Sequence, residues 1–477
     1  MTARRSSSRG LRASEVEARL RHRAARDPVL REIRDAATHA GVAVWLVGGY
    51  VRDAALARAA SDVDLAAGRG ADRLARALRA IWRTRGFRVR KRGVTTWRFR
   101  IGDRDVDLVD AGHRGLQRDL LRRELTVNAI AFDLLQGRLC DPLGGLNDLR
   151  MGKLRAPREG VFREDPVRAL RVARFLAQFP EMRLSPGTRL EAAAVVRRLP
   201  RESAERVRDE LNRLLVASAP RRGLETIRRL GALDTVLPEL VPLESCTAGR
   251  DRPNVWRHTL DALDLSVRPS RLPGGRSIDE PGSVLVLRWA ILLHDIAKPD
   301  TLEAGPDGRP TFHGHEVLGA RRADALLRRL RQSRDLRRRV KRLILFHLRP
   351  HHLSDAGAPP RGMRRLVREA DHDLPLLVLH AACDARASGA PDARRRWTRL
   401  RRVLLELQAL GEQSRRRPLP TLLDGRDVMA ALGIEPGPEV GVALDAIREA
   451  QEQGEIRTRR EALAWLRSAK RQRRSRR

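Results

Sequence analysis

Residues 42–53 read VAVWLVGGYVRD, an apolar run that ends in two glycines and continues into charged residues. An apolar run of this length, bounded by Gly48 and Gly49, predicts a buried strand, a tight turn and a helix starting near Tyr50. Glycine N–H groups at such a turn, together with the helix N-terminus, can face an anion. A Gly-Gly pair alone usually marks only a turn, so its meaning depends on the residues that follow.

Three carboxylates follow this turn in the sequence. Asp62 and Asp64 lie two residues apart in the stretch SDVDL, and both would point to one side of an extended strand. Asp107 lies in VDLV, an alternating run that also predicts a strand. Carboxylate oxygens suit hard divalent cations, and two such ions about 4 Å apart can activate an attacking hydroxyl and stabilise a leaving oxygen. Any one of these acids alone would be interpreted as a solvated strand residue, but the order of the motifs favours a two-metal site.

Six motifs between about residues 43 and 215 resemble the class II tRNA nucleotidyltransferase/poly(A) polymerase family and occur in the family's order. They are GGYVRD at 48–53, DVD at 62–64, RRELTVNA at 122–129, DPLGG at 141–145, EDPVR at 164–168 and ERVRDEL at 205–211. The resemblance implies a polymerase-beta-like nucleotidyltransferase head. It also implies a reaction in which an RNA 3′-hydroxyl attacks the α-phosphate of CTP or ATP and releases pyrophosphate.

The resemblance further implies roles for individual residues. Mg²⁺ would be held by the catalytic carboxylates Asp62, Asp64 and Asp107. Nucleotide contacts would come from Gly48, Gly49, Arg52, Arg123, Glu124, Asn128, Asp165, Arg168 and Arg171. Within this set Asp165 and Arg168 would read the base, because arginine can donate to cytosine N3 or adenine N1 and a carboxylate can accept from N4 or N6. Uracil and guanine present the opposite polarity at those positions.

Two departures from the family pattern bear on the choice of nucleotides. The chain has Glu124 where the family has an aspartate that is implied to contact the sugar of the incoming nucleotide. The stretch 107–122 is also shorter than the family resemblance leads us to expect, so a loop that sets the choice or number of nucleotides is trimmed. The alternatives to complete CCA addition to tRNA are therefore CC-only, A-only or poly(A) addition on the same scaffold.

A second set of residues predicts a metal site in the C-terminal half of the chain. His258, His294, Asp295 and Asp384 occur in an order that resembles the HD phosphohydrolase superfamily. Further histidines near this set are His313, His315, His347, His351 and His352. Imidazole and carboxylate ligands suit Mg²⁺ or a divalent transition metal. Three alternatives stay open: a helical scaffold that holds RNA without catalysis, an HD phosphohydrolase whose head only holds RNA, and an RNA-binding protein with no catalytic activity.

Composition and charge favour a nucleic-acid partner. The 477 residues contain 97 Lys and Arg against 60 Asp and Glu, a net charge of +37 that would attract a polyanion. Nearly all of this positive charge is arginine, which a GC-rich coding sequence would also produce, so the charge is modest evidence. Aromatic residues make up 3% of the chain, which argues against base stacking as the main binding device.

Several classes of protein are excluded. The three cysteines are widely spaced and contain no CxxC pair, which excludes a disulfide framework and a thiolate zinc cage. The apolar runs are too short for a membrane span. The N-terminal stretch lacks the apolar core of a signal peptide, so we expect a cytoplasmic protein. The oligomeric state is not readable from the sequence.

The predicted fold class is α+β, with an α/β head followed by an all-helical neck and a helical HD domain. The expected segments are a basic flexible arm over 1–25, the head over 26–150, a nucleotide-selecting and RNA-binding neck over 151–250, the phosphohydrolase-like HD domain over 251–390 and a helical basic tail over 391–477. Linkers are expected at 390–396 and 411–420. The expected partners are the tRNA 3′ end, CTP and ATP, with no membrane.

Overall fold

The computed structural model describes residues 12–474, except residues 61, 92, 113–114, 248, 250–252, 269–271, 274–280, 307, 390–391 and 417–418. The chain divides into two compact units between Val236 and Leu237. None of the helices in the described part of the chain is both long and apolar enough to cross a membrane.

The first unit combines strands and helices. Its strands are β1 (Val44–Val47), β2 (Val63–Ala67), β3 (Phe87–Lys91), β4 (Val94–Ile101), β5 (Arg104–Asp110), β6 (Ala131–Asp133), β7 (Leu139–Cys140), β8 (Lys153–Leu154) and β9 (Arg183–Leu184). Its helices are α1 (Ala13–Arg26), α2 (Pro28–Ala40), α3 (Gly49–Ala55), α4 (Ala71–Trp82), α5 (Gly115–Leu121), α6 (Gly145–Arg150), α7 (Val161–Glu164), α8 (Arg168–Gln178), α9 (Pro186–Val195), α10 (Ala204–Leu215), α11 (Pro220–Arg229) and α12 (Leu233–Val236).

The main sheet has seven strands in the order β3-β4-β5-β2-β1-β6-β7. β2 and β5 run parallel, and the other neighbouring strands are antiparallel. One face of the sheet is apolar: Leu65, Trp97 and Phe99 are buried there, and α4 packs against β5. Because side chains alternate along each strand, Asp64 of β2 and Asp107 of β5 lie on the opposite face.

The predicted strand, turn and helix over residues 42–53 are confirmed. β1 ends at Val47, and α3 begins at Gly49. Between them Gly48 has φ of 72°, a backbone conformation that costs glycine little and other residues more. The turn therefore requires glycine at this position.

Residues 13–26 correct the prediction of a flexible arm. They form α1, which contacts α2 and α3. Val16 and Leu20 lie on one face of this helix and are fully buried, because residues four apart share a helix face. The arm expected over 1–25 is therefore wrong from residue 13 onward, and its first eleven residues lie outside the described part of the chain.

The helices that follow the sheet form a compact group within the first unit. α8 packs against α10 and α11. A Cβ built on Gly223 of α11 would lie 2.6 Å from Leu214 Cγ of α10, so these helices approach each other closely. This group carries the motifs at 164–168 and 205–211.

The described part of the second unit consists mainly of helices and contains a two-stranded ribbon. The ribbon strands are β10 (Glu303–Ala304) and β11 (Pro310–Thr311). The helices are α13 (Val255–Leu265), α14 (Pro281–Leu293), α15 (His315–Arg329), α16 (Arg334–Phe346), α17 (Arg349–Asp355), α18 (Pro360–Ala370), α19 (Leu374–Ala387), α20 (Ala393–Arg416), α21 (Gly425–Leu432), α22 (Pro438–Glu452) and α23 (Arg459–Arg474). The predicted α+β fold class, with a mixed head and a helical remainder, is confirmed.

Helix α20 corrects both linkers. It begins at Ala393 and ends at Arg416, so the linkers expected at 390–396 and 411–420 are wrong over these residues. Leu400, Leu404 and Leu407 recur at helical spacing and are buried. Gly411, which favoured a linker, instead allows close packing, since a Cβ there would lie 2.4 Å from Leu374 Cδ2 of α19.

Candidate active site and metal centre

Two of the predicted catalytic carboxylates lie side by side on the polar face of the sheet. Asp64 of β2 is paired in register with Asp107 of β5. Asp62 is exposed and lies one residue before β2 begins. Arg98 of β4 donates from Nε to Asp107 Oδ1 at 2.7 Å and from Nη2 to Asp107 Oδ2 at 2.6 Å. The sheet therefore brings Asp64 and Asp107 together and gives Asp107 an arginine partner that the sequence did not predict.

Asp64 lies against the glycine turn. A Cβ built on Gly48 would lie 2.7 Å from Asp64 Oδ2 and 2.7 Å from Arg123 Nη1. Burial raises the pKa of Asp64, the charge of Arg123 lowers it, and Asp107 raises it again. Arg123 itself pairs with Asp119, with 3.0 Å between Nη2 and Oδ2. Gly48, Arg123 and Asp64 therefore form one compact corner, in which a positive group stands beside a carboxylate.

We expect Gly48→Ala to be strongly damaging at this corner. The new methyl group would collide with Asp64 and Arg123, and alanine disfavours the positive φ of this turn. Strain of this kind costs about 1–3 kcal/mol of folding free energy. Denaturant unfolding should show that loss of folding free energy. The control is Gly41→Ala, because Gly41 has a similar φ of 57° but a Cβ there would have nothing within 4 Å. Gly41→Ala should therefore show only the cost of the backbone conformation. Equal losses in the two variants would contradict the collision.

Arg52 is enclosed by protein partners. Its guanidinium donates to both Asp53 oxygens at 2.9 Å and to Asn128 Oδ1 at 2.7 Å. It also lies over the Phe175 and Phe179 rings, 5.3 and 5.0 Å from their centroids, a favourable cation–π arrangement. These contacts give Arg52 a structural role between α3 and α8. Its contact with the triphosphate stays a prediction.

Glu124 and Asn128 extend this network. Asn128 Nδ2 donates to Glu124 Oε1 at 2.9 Å. Glu124 Oε2 lies 3.7 Å from Arg171 Nη1, and Arg171 Nε donates to Glu210 Oε1 at 2.8 Å. Burial opposes ionisation of Glu124, but the charge of Arg171, a backbone hydrogen bond and the charges of Arg168 and Arg174 together lower the pKa of Glu124 to about 2. Glu124 is therefore an ionised, buried anchor for Arg171.

The predicted base-reading pair lies beside α10. The Asp165 carboxylate accepts from Arg206 Nη2 at 2.9 and 2.6 Å. Burial raises the pKa of Asp165, but the hydrogen bonds and charge of Arg206, together with the charges of Arg168 and Arg171, lower it by more, so the net shift is downward. Arg168 donates to the Val161 and Arg122 carbonyls at 2.9 and 2.6 Å. Its buried Nε has no hydrogen-bond partner among the described residues.

The four residues predicted for the second site converge in the second unit. His258 lies on α13, Asp384 on α19, and His294 and Asp295 directly follow α14. His258 Nε2 lies 2.9 Å from Asp384 Oδ1, and His294 Nε2 lies 3.6 Å from the same oxygen. One ligand atom each from His258, His294 and Asp384 lies within 4.8 Å of the others. These three form the first possible ligand group.

A second ligand group shares the same centre. Asp295, His315 and His347 also offer ligand atoms within 4.8 Å of one another. His315 Nε2 lies 3.3 Å from His347 Nε2 and 3.6 Å from Asp295 Oδ1. Asp295 Oδ2 lies 3.2 Å from His294 Nε2, so Asp295 connects the two groups. The sequence named His315 and His347 only as nearby histidines.

The geometry of this centre fits a divalent metal. Nδ1 of His294, His315 and His347 lies 2.8, 2.7 and 2.6 Å from the main-chain carbonyl three residues earlier. This contact orients each ring so that Nε2 faces the centre, as in metal-bound histidines. His294 Nε2 and Asp295 Oδ1 are buried and have no hydrogen-bond partner among the described residues, which is costly without a ligand.

A cleft of about 320 Å³ opens onto this centre. His258 and Asp384 line it together with the basic side chains Lys298, His351 and Arg396. His351 Nε2 lies 3.1 Å from Asp384 Oδ2. A cleft lined by two candidate metal ligands and by basic side chains suits a phosphate-containing ligand.

Three family models match the chain. The Poly A polymerase head domain matches residues 44–155, the probable RNA and SrmB- binding site of polymerase A matches residues 181–243, and the HD domain matches residues 255–385. The first match contains the glycine turn and the carboxylate pair. The third contains both ligand groups of the second centre.

Relatives with known activity match most of the chain. The A-adding tRNA nucleotidyltransferase of Deinococcus radiodurans is 38% identical, and the match covers 88% of this chain and 94% of that protein. The CC-adding tRNA nucleotidyltransferase of Thermus thermophilus is 34% identical, with coverage of 88% and 92%. The structure of the Thermotoga maritima CCA-adding enzyme complexed with tRNA shares the fold, with a TM-score of 0.60 and 18% identity over 96% of this chain and 98% of that chain.

Proposed function

Because this chain belongs to the tRNA nucleotidyltransferase family, we propose that it adds CMP and AMP residues from CTP and ATP to the 3′ end of tRNA. The observation that supports this most is the register of β2 and β5, which pairs Asp64 with Asp107 beside the Gly48 turn. Nucleotidyl transfer needs such a carboxylate pair next to a phosphate-binding corner. We expect this reaction to take place in the cytoplasm.

Each group at the carboxylates has a defined task in this proposal. Mg²⁺, when bound by Asp62, Asp64 and Asp107, would activate the RNA 3′-hydroxyl and neutralise charge on the leaving pyrophosphate. Arg123, which stands beside Asp64, supplies positive charge toward the triphosphate. The backbone N–H groups of the Gly48 turn would face a phosphate group of the nucleotide.

Base selection is assigned to Asp165 and Arg168. Arg206 holds the Asp165 carboxylate in one orientation, and each carboxylate oxygen retains a lone pair that can accept from N4 of cytosine or N6 of adenine. Arg168 keeps its Nε–H without a partner. A fixed acceptor at Asp165, with the Arg168 guanidinium as donor, would favour cytosine and adenine over uracil and guanine.

A second candidate is addition of the terminal A alone. It is favoured by the 38% identity to the A-adding enzyme of Deinococcus radiodurans over 94% of that protein's length. The 34% identity to the CC-adding enzyme of Thermus thermophilus makes CC addition the corresponding alternative. CCA addition, A-only addition and CC addition would all use the same carboxylate site of this chain, and they differ only in the nucleotides added.

Three tRNA transcripts separate these activities. One ends at the discriminator base, one in CC and one in complete CCA, and each is incubated with Mg²⁺ and both CTP and ATP, one of which is labelled. CCA addition extends the first with both nucleotides, A-only addition extends only the second, and CC addition extends the first with CTP alone. Extension of the complete CCA end by many A residues would indicate poly(A) addition, and no extension of any transcript would refute the proposal.

For the second centre we propose divalent metal binding and hydrolysis of a phosphate ester. The support is the pair of ligand groups joined by Asp295, together with the basic cleft above them. Mg²⁺ and a divalent transition metal both suit these ligands, although the number of imidazoles favours a transition metal.

We expect His294→Ala to lose the metal of this centre and any phosphatase or phosphodiesterase activity. Nucleotide addition should stay within about twofold of wild type, because the two sites belong to different compact units and share no residue. Metal content after dialysis and the addition assay give the two readouts, and His313→Ala is the matched control outside both ligand groups. Loss of both activities in a folded His294→Ala protein would contradict two separate sites.

A further inference from the structure

The row of residues that contains the carboxylate pair continues toward the edge of the sheet. Asp107 of β5 is paired in register with Arg98 of β4, and Arg98 is paired with Phe87 of β3. Residues directly opposite each other on neighbouring strands share one face of a sheet. Asp64, Asp107, Arg98 and Phe87 therefore form a row across four strands, on the face opposite the buried Trp97 and Phe99.

Phe87 is an aromatic residue with a largely exposed side chain. Its side chain is 76% exposed, and Val89, two residues further on the same face, is 52% exposed. Among the strongly exposed large apolar residues in the described part of the chain, Phe87 is the only aromatic one. A ring that lies at the end of a row of polar active-site residues, and not in the core, is available for stacking.

Arg98 connects this ring to the carboxylates. Its side chain is 61% exposed although two of its N–H groups donate to Asp107. A cation held by Asp107 competes for the same carboxylate lone pairs, so metal binding would release these donors. A guanidinium released in this position can donate in bidentate fashion to a phosphate.

The row also separates the two substrates of the proposed reaction. The Gly48 turn and Arg123 lie at the Asp64 end, where the triphosphate is proposed to bind. Arg98 and Phe87 lie at the Asp107 end. In phosphoryl transfer the attacking and leaving oxygens lie roughly in line on opposite sides of phosphorus, so the attacking strand should approach from the Asp107 end.

We propose that Phe87 and Arg98 seat the last nucleotide of the RNA primer, with Phe87 stacked on its base and Arg98 donating to its backbone phosphate. The inference rests on the proposed function, because it presupposes an RNA substrate. Stacking on a ring accepts any base, which suits a primer whose terminal base changes as nucleotides are added. Arg100, also on this face of the sheet and 60% exposed, adds positive charge for the preceding phosphates.

The test uses a tRNA transcript whose 3′-terminal base is 2-aminopurine, a base whose fluorescence falls when it stacks. Binding to the full-length wild-type protein should quench this fluorescence. Phe87→Leu should remove most of the quench and raise the Kd about fivefold or more, whereas Phe87→Trp should restore both. Leu190→Ala is the control, since Leu190 is similarly exposed at 66% but lies on α9.

Arg98→Gln tests the proposed contact between Arg98 and the backbone phosphate of the primer. The slope of log Kd against log salt should fall by about one, the loss expected for one phosphate contact. Mn²⁺ binding measured by electron paramagnetic resonance should become tighter, because Asp107 no longer pairs with Arg98. An unchanged salt slope together with unchanged Mn²⁺ affinity would refute the role of Arg98.

Nucleotide addition by the wild-type protein on unlabelled tRNA is measured in parallel. If the wild-type protein adds nucleotides but Phe87→Leu keeps the full quench and the same Kd, the primer seat formed by Phe87 and Arg98 is wrong and the proposed function stands. If Phe87→Leu changes the oligomeric state and not the quench, the ring belongs to an interface between copies of the chain, which also refutes the seat. If the wild-type protein neither binds tRNA nor adds nucleotides, the proposed function fails together with the seat.

Discussion

Asp64→Asn should abolish nucleotide addition and leave the protein folded. Asp64 and Asp107 are adjacent in register, and the neutral amide removes one of the carboxylates that would hold Mg²⁺. We expect kcat/KM to fall at least about 10³-fold, or ~4 kcal/mol of transition-state stabilisation. Burial raises the pKa of Asp64, so its charge is unfavourable without metal, and the thermal unfolding temperature should stay equal or rise.

The matched control for this prediction is Asp72→Asn. Asp72 is an exposed acid in the first turn of α4, so its replacement changes the net charge equally without touching the carboxylate pair. Single-turnover assays at saturating tRNA would separate lost chemistry from lost binding. Near wild-type turnover by Asp64→Asn would remove Asp64 from the catalytic site.

The second large effect concerns the choice of base. Asp165→Ala should lower kcat/KM for CTP and ATP about 10–100-fold and change UTP use much less, because an unpaired buried polar group costs ~1–3 kcal/mol. This variant lacks the carboxylate to which the uracil base of UTP cannot donate a hydrogen bond. The advantage of CTP and ATP over UTP should therefore narrow by the same factor.

Glu202→Ala provides the control for Asp165→Ala. Glu202 Oε2 accepts from Arg206 Nη1 at 2.8 Å, so this variant disturbs the same arginine while the Asp165 carboxylate remains. Its selectivity among the four nucleotides should stay close to that of the wild-type protein. If Asp165→Ala loses activity equally for every nucleotide, Asp165 positions α10 and the base is read elsewhere.

Local patterns in the sequence were sufficient for the fold class, and the family resemblance named several residues of both candidate sites. The apolar run before Gly48 predicted β1 and α3 because a strand, a glycine turn and a helix each leave a short-range pattern. The family resemblance named Asp64, Asp107, His258 and Asp384, and the structure brings each pair together. Their roles in catalysis and metal binding stay predictions.

Residues brought together by strand register or helix packing were not predictable in the same way. Arg98 reaches Asp107 only because β4 and β5 pair with Arg98 opposite Asp107, and a shift of one residue would turn Arg98 to the other face. Arg206 meets Asp165 across 41 residues of sequence. Helix α1 was missed because its charged residues obscured its buried apolar face. The two ends of α20 were missed because the proline and glycine near them favoured linkers.

The central claim is tested most directly by the mass of intact tRNA. A mixture of two transcripts, one ending at the discriminator base and one in CC, is incubated with the wild-type protein, Mg²⁺ and all four nucleoside triphosphates. The account predicts that at least one transcript gains the mass of CMP or AMP residues and that neither gains UMP or GMP. Unchanged masses for both transcripts, or incorporation of UMP or GMP as readily as CMP and AMP, would contradict it.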